Sequence, residues 1–235
     1  MLARTEIEAG ALPRTRFRAA LLEAIADIRA EDTRLHRLLM ARRCPPAVLR
    51  GYALATVRST ELFCATLAEM IEKAPDREAR LVLLENLLEE EGMFVQGSKG
   101  IVHRPEASHP ALARRFAAAV GAEGDGLEAR HATGAGRAML AKGEWVEAVA
   151  HLLIGQELLF AETAPAMARA LEANGLDTRD VAFFWVHETA DREHGEQALE
   201  MVLRHAQGRQ QQERCIAEAR AGALAWLEAH GGRAN

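Results

Sequence analysis

The stretch Ala182-Phe-Phe-Trp-Val-His187-Glu-Thr-Ala-Asp191-Arg-Glu-His194 carries the strongest signal in the chain. Its spacings of four and three residues place His187, Asp191 and His194 on one face of an α-helix. The apolar residues before His187 predict that this helix begins deep inside the protein. Two imidazoles and one carboxylate on one face form a mixed N/O site that suits Fe, Mn or Zn. A solvated helix face is the competing interpretation, because other residues in the stretch are also charged.

Glu157 is the second signal, in the stretch Leu152-Leu-Ile-Gly-Gln-Glu157-Leu-Leu-Phe-Ala161. Every neighbour except Gln156 is apolar or glycine. A lone carboxylate in such surroundings is costly unless it is paired or bound to a metal. The alternatives are a salt bridge to a buried Arg or Lys and a position at the edge of the core.

A third signal is the acidic stretch Glu85-Asn-Leu-Leu-Glu89-Glu90-Glu91-Gly92, which ends a predicted helix. Acidic residues at a helix C-terminus oppose the helix dipole and are usually solvated. Three in a row make better sense if a cation or a positively charged neighbour compensates them. Helix bundles that bind two irons take carboxylates and histidines from several facing helices. The three segments together supply such a set.

The composition favours helices throughout. Hydrophobic residues make up 49% of the 235 residues, yet only seven Phe, three Trp and one Tyr are among them. Helix-forming residues dominate, and no segment alternates with period two. We predict an all-α bundle of seven to eight helices in one domain, 1–235, with 1–13 as a flexible N-terminal segment. A long loop is predicted at 93–108, and 122–142 is Gly-rich and lacks helical periodicity.

Charge and apolar patterning argue against several classes of protein. The net charge is −5 and the basic residues are scattered, which disfavours a nucleic-acid partner. No apolar run reaches the ~20 residues that cross a bilayer, so no membrane association is expected. Three scattered cysteines argue against a disulfide framework. The first residues lack the apolar segment of a secretory signal, and we expect a cytoplasmic protein.

The order of these motifs resembles a known superfamily. ENLxEEEG, then HPxLxxxF, then an isolated Glu before LLFA, then FFxxHxxxDxxH is similar to the heme-oxygenase-like di-iron oxidases. This superfamily is similar in fold to the TenA thiaminases and the PqqC oxidase, and the closest pattern is that of the CADD group. The resemblance covers about 46–205, and its C-terminal motif is the specific part.

The resemblance implies a set of metal ligands. Glu90 matches the first-helix glutamate, with Glu89 as the alternative and Glu85 as an outer candidate. His109 matches the first-helix histidine, but it lies further from the glutamate than in the family, so His103 competes with it. The ligands implied by the match are Glu90, His109, Glu157, His187, Asp191 and His194, of which all but His109 are also implied to be catalytic.

The implied function is a non-haem di-iron oxidase or oxygenase. It would hold two Fe ions, or Mn, use O₂ as co-substrate, and oxidise a small amine, amino acid or carboxylic acid. An external electron donor and a homodimer are expected from the same resemblance. One alternative is a metal-free TenA- or PqqC-like enzyme that hydrolyses a thiamin-like base or oxidises a cofactor precursor, with Cys64 as a candidate nucleophile. Another is a non-catalytic helical interaction module, which predicts that the acids and histidines face solvent.

Some remaining residues are expected to be structural. Tyr52 is interpreted as a core residue with a satisfied hydroxyl. This disfavours the self-sacrificing tyrosine chemistry of the CADD group. His36 is predicted to lie in the core or line a pocket, and His151 to be structural or to support a ligand. Surface positions are predicted for His131, His205 and His230.

Overall fold

The computed structural model describes residues 10–95, 100–124 and 134–232 of the chain. A π-helical segment, Ala150–Leu158, joins α7 (Trp145–Val149) to α8 (Leu159–Ala173) without a break, and two short strands, β1 (Met93–Val95) and β2 (Ile101–His103), pair in antiparallel fashion. The α-helical segments are α1 (Arg14–Glu23), α2 (Arg34–Met40), α3 (Pro46–Glu72), α4 (Arg77–Glu90), α5 (His109–Ala119), α6 (Gly134–Lys142), α7 (Trp145–Val149), α8 (Leu159–Ala173), α9 (Ala182–His205) and α10 (Gly208–Ala229).

The predicted all-α class is confirmed, with small differences. Because α7, the π-helical segment and α8 run on as one helix, the described residues contain nine continuous helices, against seven or eight predicted. The unforeseen one is α6, whose glycines weaken the apolar pattern; a Cβ on Gly136 would overlap the side chain of Leu152. The short strands occupy the predicted loop, and three residues each are too few to show alternation.

The N-terminal segment was predicted to be flexible over 1–13. Residues 1–9 lie outside the described residues. Leu12 is tied to Gln212 of α10, because its backbone N–H donates to Oε1 (2.7 Å) and its carbonyl accepts from Nε2 (3.2 Å). The part of the segment next to α1 is therefore held against the last helix.

Local sequence sets where the helices that carry the site begin. Asp76 accepts a hydrogen bond from the backbone N–H of Ala79 (2.8 Å) and so caps α4. The Ser108 hydroxyl accepts from the backbone N–H of Ala111 (3.3 Å) at the start of α5. Pro46 occupies the first turn of α3, where its missing N–H leaves no bond unmade.

The π-helical segment is packed tightly between α9 and α10. A Cβ on Gly222 of α10 would overlap the carbonyl oxygen of His151, and one on Gly155 would overlap the carbonyl oxygen of Ala219. On the other side, Gly195 of α9 packs directly on Leu158. Backbones can approach this closely only where Cβ atoms are absent. The segment that carries Glu157 is thus held between two helices.

We expect Gly222→Ala to lower the free energy of unfolding by about 1–3 kcal/mol, because the new methyl group meets backbone that cannot move away by itself. The control is Gly51→Ala, in the exposed part of α3, where no heavy atom lies within 4 Å of the new Cβ. That change should raise the unfolding free energy by up to about 1 kcal/mol. Urea denaturation of both variants measures the difference. Equal stability of the two variants would contradict the close helix crossing.

None of the described helices combines the length and the hydropathy that a membrane-spanning segment needs.

Candidate metal centre

Six buried side chains form two neighbouring clusters in the middle of the bundle. Within each cluster, one potential ligand atom from each residue lies within 4.8 Å of the others. The structure therefore brings together all six residues that the resemblance implies as ligands, and it buries them. This is the reverse of what an interaction module predicts. The first cluster is Glu90, His109 and His187; the second is Glu157, Asp191 and His194.

Helix α9 contributes to both clusters. His187, Asp191 and His194 lie along one buried face, as their spacing predicted, and the helix begins among apolar residues such as the fully buried Phe184. The His187 Nδ1–H donates to the carbonyl oxygen of Phe183 one turn earlier. This bond fixes the ring and leaves Nε2 as the nitrogen that can bind a metal.

The hairpin formed by β1 and β2 explains how His109 reaches Glu90 in spite of the long interval. The two strands are antiparallel and in register from Met93 to His103, so the chain returns to where it left α4. At the neck, the backbone N–H of Arg104 donates to the carbonyl oxygen of Gly92 (2.8 Å). Because the chain closes on itself, the extra residues do not displace α5.

The same hairpin separates the two candidate histidines. His103 lies on β2 with its side chain exposed, whereas His109 is buried at the first turn of α5. Gly92 has φ +74°, and a Cβ there would overlap the carbonyl oxygen of Arg104. Glycine at this position is thus required for the neck that brings His109 back to the site.

Glu157 enters the site from the π-helical segment. Such segments carry an extra residue per turn and occur often at functional sites. His151, on the same segment, does not join the clusters, and its Nδ1 lies 3.0 Å from Glu218 Oε2 on α10. Burial lowers the pKa of His151, and Glu218 partly offsets this effect. His151 is therefore a packing residue between two helices.

In the first cluster, Nδ1 of His109 lies 2.8 Å from Oε1 of Glu90. The pair is not aligned as a hydrogen bond, and Nδ1 has no other partner. The rings of His109 and His187 have their centroids 4.3 Å apart. Such a close approach without hydrogen-bond alignment is expected when both atoms are directed at a common third point.

In the second cluster, Glu157 Oε1 accepts from Asn86 Nδ2 (3.0 Å) and from His194 Nδ1 (3.2 Å). His194 Nε2 lies 3.1 Å from Oε2 of Glu89. Burial by itself would lower the pKa of His194, but the bonds to Glu157 and Glu89 outweigh it and raise the pKa to about 11. Without a metal, His194 is therefore an imidazolium held between two carboxylates.

Several carboxylate oxygens in the clusters are buried without a hydrogen-bond partner. They are Oε2 of Glu90, Oε2 of Glu157 and both side-chain oxygens of Asp191. Burial, followed by the negative charges of Glu157 and Glu90, raises the pKa of Asp191 well above its usual range. Burying such groups unsatisfied costs roughly 1–3 kcal/mol each. A divalent cation in each cluster would satisfy them, so the residues present fit a pair of metal ions.

Neighbouring acidic residues on α4 differ sharply in exposure. Glu90 is 2% exposed and faces the first cluster. The Glu89 side chain is 38% exposed and reaches only His194. Glu85, expected near the ligands, faces solvent, and the prediction of an outer role for it is wrong. Asn86 takes that role instead, since it orients Glu157.

Sequence reasoning missed several residues around the site. His230, predicted at the surface, is buried and lies 2.9 Å from the Tyr52 hydroxyl. Its position could have indicated this burial, because it comes four residues after Trp226, which lies on the apolar face of α10. The satisfied hydroxyl expected for Tyr52 is confirmed. His36 is in the core, as expected. His205 is only partly exposed, and His131 lies outside the described residues.

A cavity of about 130 Å³ adjoins both clusters. Members of the two clusters, among them Glu90, Glu157 and Asp191, form part of its wall. Aromatic side chains and α3 form much of the remainder. A small organic molecule in this cavity would therefore lie directly beside both clusters.

Comparison with known proteins agrees with this fold. The chain is similar in structure to a TenA homologue from Pseudomonas syringae pv. tomato DC3000, with a TM-score of 0.71, 15% identity and 97% of each chain covered. It is also similar to a domain of unknown function with a heme oxygenase-like fold from Shewanella denitrificans OS217, with a TM-score of 0.58, 15% identity, and 92% of this chain and 88% of that one covered. These likenesses show the fold. No curated protein matches the sequence.

A family model described as an iron-containing redox enzyme matches residues 47–227, which is most of the chain. The match extends from the start of α3 to the end of α10 and includes all six clustered residues. The chain therefore belongs to the iron-containing redox enzyme family, with a heme-oxygenase-like fold.

Proposed function

We propose that this protein is a non-haem di-iron oxidase that uses O₂ to oxidise a small organic molecule. The observation that carries the proposal is the pair of buried carboxylate–histidine clusters, with unsatisfied oxygens, beside one cavity. The family supports iron and redox chemistry. Two bound iron ions would supply electrons for the reduction of O₂, and an external donor would restore them.

The proposed ligands are the six clustered residues. Glu90, rather than Glu89, is proposed for the first ion because it is buried with His109 and His187. An N/O donor set of this kind suits Fe(II), and Mn(II) also fits it. Glu90, Glu157 and Asp191 would offset three of the four positive charges of two divalent ions. Glu89, at the edge of the second cluster, is placed to offset the fourth.

The surrounding residues have separate tasks in this proposal. Phe183 orients His187 through its carbonyl oxygen, and Asn86 orients Glu157. His194 must give up its proton before one of its nitrogens can bind a metal, and Glu89 is the adjacent carboxylate. Supporting bonds of this kind typically change metal affinity or activity by about 10- to 100-fold.

A metal-free, TenA-like enzyme is the second candidate, since a TenA homologue shares the fold. That chemistry would require an activated nucleophile, for which Cys64 was the candidate. Burial raises the pKa of the Cys64 thiol well above its usual range, and the nearby Glu90 and Glu91 raise it further. Cys64 is also absent from the described wall of the cavity. Its surroundings therefore disfavour a thiolate.

Anaerobic titration with Fe(II) tests the proposal. We expect the protein to bind about two equivalents, as bundles with this kind of ligand set do, and to show an O₂-dependent change in absorbance on exposure to air. The wild-type protein treated with a chelator serves as the control and should show neither. Failure to bind iron would refute the di-iron proposal, and a chelator-resistant activity on a thiamin-like base would favour the metal-free candidate.

A further inference from the structure

One wall of the cavity is a row of polar side chains on α3. Tyr52, Thr56 and Thr60 follow one another at a spacing of four residues, so they lie on one face of the helix, and all three line the cavity. The row extends over eight residues, or about 12 Å of helix. Its length matches that of a small extended molecule.

The two threonines of this row both present acceptor lone pairs to a ligand. The Thr56 hydroxyl donates its hydrogen to the carbonyl oxygen of Tyr52 (3.0 Å), and the Thr60 hydroxyl donates to the carbonyl oxygen of Thr56 (2.8 Å). Each hydroxyl has a single hydrogen, and it is already used inside the helix. The lone pairs of both oxygens remain for a molecule in the cavity.

Tyr52 is also left as an acceptor. His230 Nδ1 is 2.7 Å from the carbonyl oxygen of Trp226, which can only accept, so Nδ1 carries the hydrogen. Burial lowers the pKa of His230 to about 4, and the ring is neutral at pH 7. Its Nε2 is therefore an acceptor, and the Tyr52 hydroxyl donates its hydrogen to it (2.9 Å).

The rest of the described cavity wall is apolar or acidic, apart from the neutral polar side chains of Ser59, Gln156 and His187. Neither lysine nor arginine occurs among the described lining residues, so no side-chain cation there can bind a carboxylate. The indole N–H of Trp226 is unpaired but inaccessible. Phe63, Phe160 and Phe183 offer aromatic surface to an apolar body.

We propose that the cavity binds an amine, whose N–H groups donate to the acceptor row of Tyr52, Thr56 and Thr60 while its apolar body packs on the aromatic side chains. This inference rests on the proposed function. It narrows the proposed substrate class from amines, amino acids and carboxylic acids to amines. Four carboxylates beside two divalent ions would leave the metal centre close to neutral, so an ammonium group would not be repelled.

The test compares three probes of equal length: octylamine, octanol and octanoate. Their dissociation constants are measured by calorimetry under argon, with Mn(II)-loaded protein and again with metal-free protein. We expect octylamine to bind the Mn(II)-loaded protein on the order of tenfold more tightly than octanoate. Octanoate binding more tightly than octylamine would overturn the proposal. Loss of octylamine binding on loading with Mn(II) would also overturn it, because the amine would then merely occupy the empty clusters.

Thr56→Val removes one acceptor at nearly constant volume. It should weaken octylamine binding by roughly tenfold. The apolar contacts that octanol makes should be little affected. The matched control is Thr66→Val on the same helix. Thr66 is buried and makes the same kind of bond, to the carbonyl oxygen of Leu62 (2.7 Å), but does not line the cavity. Equal octylamine affinities in the two variants would overturn the proposal.

The two proposals can fail separately. Absence of Mn(II) and Fe(II) binding would refute the di-iron function but not amine recognition. The difference in octylamine affinity between Thr56→Val and Thr66→Val still tests amine recognition in the metal-free protein. Conversely, normal metal binding with no preference for the amine would refute only the amine proposal.

Discussion

Glu157→Ala is expected to reduce the iron content of the anaerobically loaded protein from about two equivalents to one or fewer. Glu157 belongs to the second cluster, and one of its oxygens is buried without a partner. Removing it takes away a ligand and leaves Asn86 Nδ2 without its acceptor. O₂ consumption should fall by at least about 100-fold, because both ions are needed for the proposed chemistry. Iron analysis and oxygen-electrode measurements give the two values.

A matched control and a second variant sharpen this test. Glu162→Ala, on the following turns of the same long helix, removes a glutamate that is 58% exposed and should leave the iron content unchanged. His187→Ala should remove the ion of the other cluster, and the double variant should bind neither. Two equivalents of iron in Glu157→Ala would show that Glu157 is not a ligand. Circular dichroism confirms that each variant is folded.

Asp191→Asn is expected to make the metal-free protein at least as stable as the wild type, and to abolish stabilisation by metal. Asp191 is 1% exposed, both its oxygens lack partners, and burial raises its pKa. A raised carboxyl pKa stabilises the fold fully only below the unfolded pKa near 4, and that stability is lost as the pH rises through the folded pKa. The advantage of Asp191→Asn should therefore grow between pH 5 and pH 8.

Bound metal, by contrast, should make the wild type more stable than Asp191→Asn. With Mn(II) at about 100 times its dissociation constant, the wild type gains roughly 2.7 kcal/mol. In a protein of this size this raises Tm by about 5–10 °C. Asp191→Asn should show little of that rise. Thermal unfolding with and without Mn(II) at both pH values measures both effects. An Asp191→Asn variant that is less stable without metal and still gains stability from Mn(II) would show that Asp191 has a structural role only.

Part of the centre was readable from local spacing. His187, Asp191 and His194 share a face of any helix that contains them, whatever surrounds it. Glu157 stood out because one charge among apolar neighbours requires a partner wherever the segment packs. Both features concern residues close together in the chain, and periodicity describes those well.

The choice between adjacent candidates required the packed structure. Glu89 and Glu90 are consecutive and point about 100° apart around α4. Which of them faces inward depends on how α4 is rotated against α9, and local sequence does not set that rotation. His103 competes with His109 on sequence alone, and only the hairpin that closes at Gly92 shows that the start of α5 returns to the site.

The sequence by itself therefore determined the all-α class, the histidine–aspartate face of α9 and the buried glutamate between apolar neighbours. Only the tertiary structure decided that six residues from four parts of the chain form two clusters, that Asn86 supports them, and that Tyr52 and His230 join beside the cavity. The physical reason is that helical periodicity acts over a few residues. The distances between helices depend on contacts such as that of Gly222 with the π-helical segment, which involve residues far apart in the chain.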